Sequence, residues 1–313
     1  MKTKKIPPGD IGSNYKIMKT TFCRVNTKDE LRLDGLLFAP EGEARAAVLH
    51  IAGRAGNFYA NGFLDAMVEN YTNAGLALLS VNTRGHDHIA DFRVGKTEKI
   101  VRMGQAFDIF EECVSDIATW VEFLKNKGFK KIILQGHSQG AAKLVYFLSK
   151  EFRPEIAAMV LMSPADAPGL LRKYQPEAFA QNLVLAKEMI RSGRGEDLLP
   201  DKIRGWYYIS AKTFVNEMSG KEADIFPIFD DGDFGKLENI KVPALAFYGE
   251  NENTLIYSAQ KDLEIIAPHL KNPRSKTFVI NGADHTYLGK EEIAARMIVD
   301  WMENILFEIC KRN

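Results

Sequence analysis

The feature that most constrains the fold is a repeated alternation between short apolar runs and segments with helical spacing. Phe63, Met67 and Tyr71, for example, recur at helical spacing between two of these runs, and Gly75 closes the segment. Strands that alternate with amphipathic helices are typical of a mostly parallel central sheet with helices on both faces, which is the α/β class. The apolar runs are residues 31–38, 46–51, 76–81, 131–134, 156–162, 242–248 and 277–280.

One segment interrupts this alternation. Residues 167–240 contain no comparable strand, but they carry a helical pattern at residues 179–190 and many aromatic side chains. Because ligands bind at the carboxyl edge of open α/β sheets, we predict that this insertion is a mainly helical cap or lid over that edge. The alternative is an excursion that buries only its own aromatic residues. The predicted division is an N-terminal extension at 1–18, a core formed by 19–166 and 241–313, and the cap at 167–240.

The composition argues against several classes of protein. The 313 residues include 41 Lys and Arg and 41 Asp and Glu, and this zero net charge predicts no nucleic-acid partner. No apolar window is long enough to span a membrane, and no signal-peptide core follows the lysine-rich start, so we expect a cytoplasmic protein. Cys23, Cys113 and Cys310 form no CxxC pattern, which favours free thiols. The oligomeric state stays open.

The chemistry is indicated first by residues 132–142, where an apolar run meets the pattern G-x-S-x-G and a helical segment follows. Gly136 and Gly140 are the small residues that a sharp strand-to-helix turn requires, and such a turn exposes the serine between them at a helix N-terminus. We therefore predict that Ser138 is a nucleophile. The alternative is a glycine-rich turn with an incidental serine.

A serine hydroxyl needs a base to remove its proton, and we expect a histidine after the last strand. His285 follows the apolar run 277–280 and precedes the C-terminal helical segment, so it can reach over the edge of the sheet. A third group must orient the imidazole and support its positive form. Glu252, after the run 242–248, is our candidate for this acid, and Asp166, after the run 156–162, is the alternative.

The tetrahedral intermediate of such a reaction needs two hydrogen-bond donors for its oxyanion. One is the backbone N–H of the residue after the nucleophile, Gln139. The second is predicted to be the N–H of Arg54, in the loop after the run 46–51, where Gly53 and Gly56 let the backbone approach a ligand closely. The alternative is an ordinary turn that caps the helix after Asn61.

These motifs, taken in order, resemble the α/β-hydrolase superfamily over residues 31–306. Residues 82–87 are similar to the Arg-Gly loop after the superfamily's fourth strand, and residues 163–166 are similar to the loop after its sixth. Residues 56–59 and 282–287 resemble the branch that includes fusarinine-type siderophore esterases. The sequence departs from the common pattern at two positions, because Ala52 replaces a frequent histidine and Glu252 replaces the usual aspartate.

The predicted function is therefore a serine hydrolase that cleaves a carboxylic ester, or a related thioester, lactone or amide, in a small-molecule acyl substrate. This chemistry proceeds through an acyl-enzyme and requires no cofactor and no metal. His86, Asp87 and His88 lack the further ligands of a metal cluster, so a loop beside the active site is favoured there. Two other functions stay open: a C–C bond hydrolase or lyase with the same triad, and a ligand-binding homologue without turnover.

Overall fold

In the computed structural model, all seven predicted apolar runs form strands of one eight-stranded sheet. The structure describes residues 19–311, with side chains as far as Phe307. The predicted N-terminal extension at 1–18 and the side chain of Cys310 lie outside the described part. The strands are β1 Lys19–Asn26, β2 Arg32–Ala39, β3 Ala46–Ile51, β4 Leu76–Val81, β5 Ala90–Arg93, β6 Ile100–Met103, β7 Ile132–His137, β8 Ile156–Met162, β9 Ala244–Gly249 and β10 Lys276–Ile280.

The order of strands in the sheet is β1-β2-β4-β3-β7-β8-β9-β10. The pairs β1–β2 and β2–β4 are antiparallel, and all other neighbours are parallel. Strands β5 and β6 form a separate antiparallel pair. The mostly parallel α/β sheet predicted from the sequence is therefore confirmed. The sequence pattern missed β1 because this edge strand is largely exposed and carries no apolar run.

Helices cover both faces of the sheet. They are α1 Phe63–Asn73, α2 Cys113–Asn126, α3 Gln139–Lys150, α4 Ala167–Tyr174, α5 Pro176–Arg191, α6 Ala211–Ser219, α7 Gly235–Glu238, α8 Ala259–Ile266 and α9 Glu291–Lys311. Successive residues of β3 enter two different apolar clusters: Val48 packs with α1 and α9, whereas Leu49 packs with α2 and α3. This alternation follows from the two-residue period of a strand, and it explains why β3 is apolar along its whole length.

The segment between β8 and β9 is mainly helical, as predicted. Helices α4, α5 and α6 share an apolar cluster of their own, which includes Leu171, Met189 and Phe214. Ile225 and Phe226, later in the same segment, pack instead into the main cluster of the sheet. The insertion is thus joined to the core by apolar contacts at its carboxyl end. None of the helices in residues 19–311 is long and apolar enough to cross a membrane.

A polar network is enclosed between the sheet and α1. The Tyr71 hydroxyl donates to Gln135 Oε1 at 2.5 Å, and Gln135 Nε2 lies 3.0 Å from His50 Nδ1. An amide donor at Nδ1 leaves the ring proton of His50 on Nε2, which has no hydrogen-bond partner in the described residues. Burial lowers the pKa of His50 from about 6.5 to about 3. The neutral imidazole is therefore the form that the fold accommodates.

This burial predicts a loss of stability in mild acid. Between pH 6.5 and about pH 3 the unfolded chain protonates His50 and the folded chain does not, so the free energy of unfolding falls by about 1 kcal/mol per pH unit from this residue. His50→Leu should reduce the pH slope by that amount in urea unfolding between pH 7 and pH 5. The same substitution at exposed His88 is the control for loss of a histidine. An unchanged slope in His50→Leu would contradict this assignment.

Candidate active site

Ser138 lies at the turn between β7 and α3, with φ 54° and ψ −122°. A positive φ at a non-glycine residue is strained, and it is typical of residues that the surrounding structure holds in place for function. The Ser138 N–H donates to the Met162 carbonyl at 2.8 Å, which ties the turn to the neighbouring strand β8. The serine is thereby held at the carboxyl edge of the sheet, at the N-terminus of α3.

Gly136 and Gly140 are required by the closeness of this turn. A Cβ atom on Gly136 would lie 2.5 Å from the Gly140 carbonyl oxygen, and one on Gly140 would lie 2.3 Å from the Ile51 carbonyl oxygen. Both distances are shorter than any van der Waals contact, so the backbone would have to move. The sequence-based explanation for these two glycines is confirmed.

His285 and Glu252 meet at the same edge of the sheet. His285 Nδ1 lies 2.8 Å from Glu252 Oε2, and the Glu252 side chain is fully buried. The Thr254 hydroxyl donates to the same carboxylate oxygen at 2.9 Å and lies 3.1 Å from His285 Nδ1. A carboxylate at Nδ1 sets the tautomer that leaves Nε2 free to accept a proton. The loops after β9 and β10 therefore supply an oriented imidazole.

The other oxygen of Glu252 is also fully engaged. Oε1 accepts the Gly249 N–H at 2.6 Å and the Ser163 hydroxyl at 2.5 Å, and the Tyr287 hydroxyl lies 2.5 Å from Ser163 Oγ. Four donors around one buried carboxylate offset much of the cost of removing it from water. Ser163, Thr254 and Tyr287 were missed by the sequence reasoning, because hydroxyl groups at loop positions have no spacing that distinguishes them.

Asp166, the alternative acid, has different partners. Its side chain accepts the Gly169 N–H at 2.7 Å and the Phe229 N–H at 2.9 Å. Asp166 therefore caps the N-terminus of helix α4 and anchors the backbone at Phe229, later in the insertion. Burial raises the pKa of Asp166 to about 6, against the effect of these two bonds. The structure places no bond between Asp166 and His285. Glu250, nearer the strand end, accepts the Gly282 N–H at 2.8 Å at the surface.

His137, inside the G-x-S-x-G pattern, supports the backbone of His285. Its Nε2–H donates to the His285 carbonyl oxygen at 2.8 Å, and the two rings pack with centroids 4.6 Å apart. Burial and the nearby His285 lower the pKa of His137 well below 6.5. His137 therefore stays a neutral donor that holds His285 in place.

The loop after β3 places Gly53 and Arg54 beside Ser138. A Cβ atom on Gly53 would lie 3.0 Å from Ser138 Cβ, and the Gly56 N–H closes a turn onto the Gly53 carbonyl at 2.9 Å. Gln139 is the first residue of α3, where an N–H group has no partner within its own helix. Helix α1 begins later, after Gly62, without a side-chain cap.

Gly53, Arg54 and Gln139 line a pocket of about 340 Å³. Its lining includes apolar residues of α3, α4 and the loop before α4, and it also includes Arg54, Arg204, Tyr207 and Glu217. Ser138 and His285 both line this pocket. In the described part of the chain, no group of three or more His, Cys, Asp or Glu side chains is placed to hold a metal. The Asp87 carboxylate is instead bonded to Asn57 and His86.

The sheet order, the strained serine turn and the helical insertion after β8 define the α/β-hydrolase fold. Est1E from Butyrivibrio proteoclasticus with bound ferulic acid is similar in structure, with TM-score 0.62, 18% identity and coverage of 91% of this chain and 99% of that one. The α/β-hydrolase GrgF from Penicillium sp. sh18 has TM-score 0.68 and 17% identity, covering 92% and 99%. The Pyrococcus furiosus esterase Pf2001 has TM-score 0.58 and 17% identity, covering 92% and 91%.

The family is shown by the sequence itself. Residues 108–306 match the family described as protein of unknown function, DUF1749, and the chain belongs to this family. No curated protein matches the chain. Identities below 20% with the solved structures establish the common fold, and the reaction has to be argued from the site.

Proposed function

We propose that this protein is a serine hydrolase that cleaves a carboxylic ester through an acyl-enzyme on Ser138. The observation that carries the proposal is the 2.8 Å contact between His285 Nδ1 and the buried Glu252 carboxylate, in the loops beside Ser138. Ser138 and His285 line one pocket, so a bound substrate would meet both. The serine is presented by a strained turn whose glycines admit no side chain.

In this mechanism the Ser138 hydroxyl attacks the ester carbonyl while His285 Nε2 takes its proton. Glu252 supports the positive charge that develops on the imidazole. The backbone N–H groups of Arg54 and Gln139 donate to the oxyanion, and His285 returns the proton to the departing alcohol. Water, activated by the same histidine, then releases the acid. Every step uses residues of this chain and needs no bound cofactor.

The substrate is proposed to be a small molecule with an apolar acyl or alcohol group. Ala142, Pro168, Leu170 and Leu171 are among the residues that line the pocket, and these apolar side chains favour a hydrocarbon or aromatic group in the substrate. Two of the similar structures are described as esterases or bind ferulic acid, and this supports ester cleavage over other reactions of the fold. A thioester, lactone or amide would fit the same apparatus. A cytoplasmic location stays a prediction.

The proposal is tested by labelling with a fluorophosphonate probe and by a panel of p-nitrophenyl esters. We expect one label per wild-type chain, at Ser138, and turnover of at least one ester in the panel. Ser138→Ala should take up no label, whereas Ser149→Ala, a serine on the same helix α3, should be labelled normally. No labelling of the wild type would reject the serine mechanism. Labelling without turnover of any ester would favour another acyl bond or a C–C bond.

A further inference from the structure

Glu217, on helix α6 of the insertion, is a buried carboxylate that the mechanism above does not use. It lines the same pocket as Ser138. Its Oε1 accepts a hydrogen bond from Gln139 Nε2 at 2.9 Å, and its Oε2 is ion-paired with the Arg54 guanidinium. Arg54 and Gln139 are the two residues whose N–H groups are proposed to hold the oxyanion. A single carboxylate of the insertion therefore contacts the side chains of both residues whose backbone N–H groups are the proposed donors.

The contacts of Glu217 with Arg54 and Gln139, called the Glu217 bridge below, are buried. The Glu217 side chain is 2% exposed and the Arg54 side chain 14%, and the Tyr207 ring lies against the guanidinium with its centroid 4.7 Å away. Neither Arg54 Nη1 nor Glu217 Oε2 has a hydrogen-bond partner in residues 19–311, so the contact between Arg54 Nη2 and Glu217 Oε2 is an ion pair. Removing one partner of a buried charge pair leaves the other charge uncompensated, so this ion pair is costly to break.

The loop that carries Arg54 needs such a restraint. Ala55 has a positive φ of 55°, and before Asn57 the loop is held by one short turn and one isolated bridge to His86, whereas Asn57 itself is bonded to Asp87. An oxyanion donor acts only if its N–H is held in place before the reaction, because a shift of about 1 Å costs on the order of 100-fold in rate. Gln139 lies on the helix α3, so the bridge fixes the loop relative to a rigid element.

We propose that Glu217 is a positioning residue that holds the oxyanion donors of Arg54 and Gln139 at their working distance, so that α6 is a functional part of the active site. This inference rests on the proposed function. Glu217 touches neither the scissile bond nor the proton that is transferred. Its contribution is to the transition state, where negative charge develops on the carbonyl oxygen, and not to substrate binding in the ground state.

Glu217→Gln keeps the shape of the side chain and removes its charge. With active sites counted by complete fluorophosphonate labelling, we expect kcat per labelled site to fall about 10- to 100-fold while KM stays within about threefold. The Ki of a trifluoromethyl ketone, which forms a tetrahedral adduct with an oxyanion, should rise in proportion to the loss of kcat/KM. Glu217→Asp, one methylene shorter, should show a smaller loss of the same kind.

Asn216→Ala is the matched control. Asn216 is the neighbouring residue on α6 and also ties it to the core, because it accepts the Phe110 N–H at 2.9 Å and donates to Glu111 at 2.7 Å. This variant should lose stability without losing kcat per labelled site. An unchanged kcat per site in both Glu217 variants would overturn the inference, as would a rise in KM at constant kcat. A wild type that is neither labelled nor active would reject the proposed function itself.

Discussion

Ser138→Ala, His285→Ala and the double variant are each expected to lower kcat for an ester substrate by at least about 10⁴-fold, and by nearly the same factor. In the proposed mechanism the proton leaves the serine only if His285 accepts it, and His285 has no role in the attack if the hydroxyl is missing. Once either residue is removed, the second removal therefore adds little. The measurement is kcat on the best p-nitrophenyl ester of the panel, after residual wild-type activity has been excluded by fluorophosphonate treatment.

This comparison separates a catalytic unit from two independent contributions. If the loss in the double variant equalled the product of the two single losses, Ser138 and His285 would act separately, and the proposed proton transfer between them would be wrong. Thermal unfolding of each variant is the control for folding, because the His285 ring packs against His137 and its loss could loosen the turn. A single variant that retained more than a tenth of wild-type kcat would also contradict the mechanism.

Glu252→Gln is expected to lower kcat by about 10³- to 10⁴-fold, whereas Asp166→Asn should leave kcat within about threefold. The amide introduced by Glu252→Gln would present either a neutral oxygen or an N–H to His285 Nδ1, so the imidazolium would lose its counter-charge and its tautomer would no longer be set. Asp166 makes its bonds to Gly169 and Phe229, and an asparagine oxygen can accept both. The rates are to be compared on the same ester at pH 8.

The two acids form a matched pair, since each is buried and each follows a strand of the sheet. Glu252→Asp adds a third comparison: its shorter side chain cannot reach His285 while keeping the bonds from Gly249 and Ser163, so an intermediate loss is expected. Full activity in Glu252→Gln would remove this residue from the mechanism. A large loss of kcat in Asp166→Asn, with normal thermal stability, would indicate that Asp166 is the acid that orients His285.

The strands and the serine turn could be predicted because their causes are local. The buried strands β3 and β4 are apolar along their whole length, and their bounds agree with the apolar runs 46–51 and 76–81. Gly136 and Gly140 indicate in the sequence that this turn has no room for side chains. In the structure, a Cβ atom added to either residue would lie 2.5 Å or 2.3 Å from a backbone carbonyl oxygen. The edge strand β1 and the pair β5–β6 were not predicted, since exposed strands need no continuous apolar pattern.

The choice between Glu252 and Asp166 could not be made from the sequence, because each is an acid a few residues beyond a strand. Only the packed structure shows that Glu252 turns towards His285 and that Asp166 turns towards α4. The same holds for Glu217, whose helix lies in an insertion with no pattern that relates it to the loop of Arg54.

The sequence by itself determined the α/β sheet, the sharp turn at Ser138 and the candidate position of His285, because burial periodicity and backbone space act over a few neighbouring residues. Only the tertiary structure decided which carboxylate contacts His285 and which hydroxyl groups surround that carboxylate. It also decided that the insertion reaches the two proposed oxyanion donors through Glu217. These contacts join residues that are far apart along the chain, and their geometry depends on how the loops and the insertion pack together.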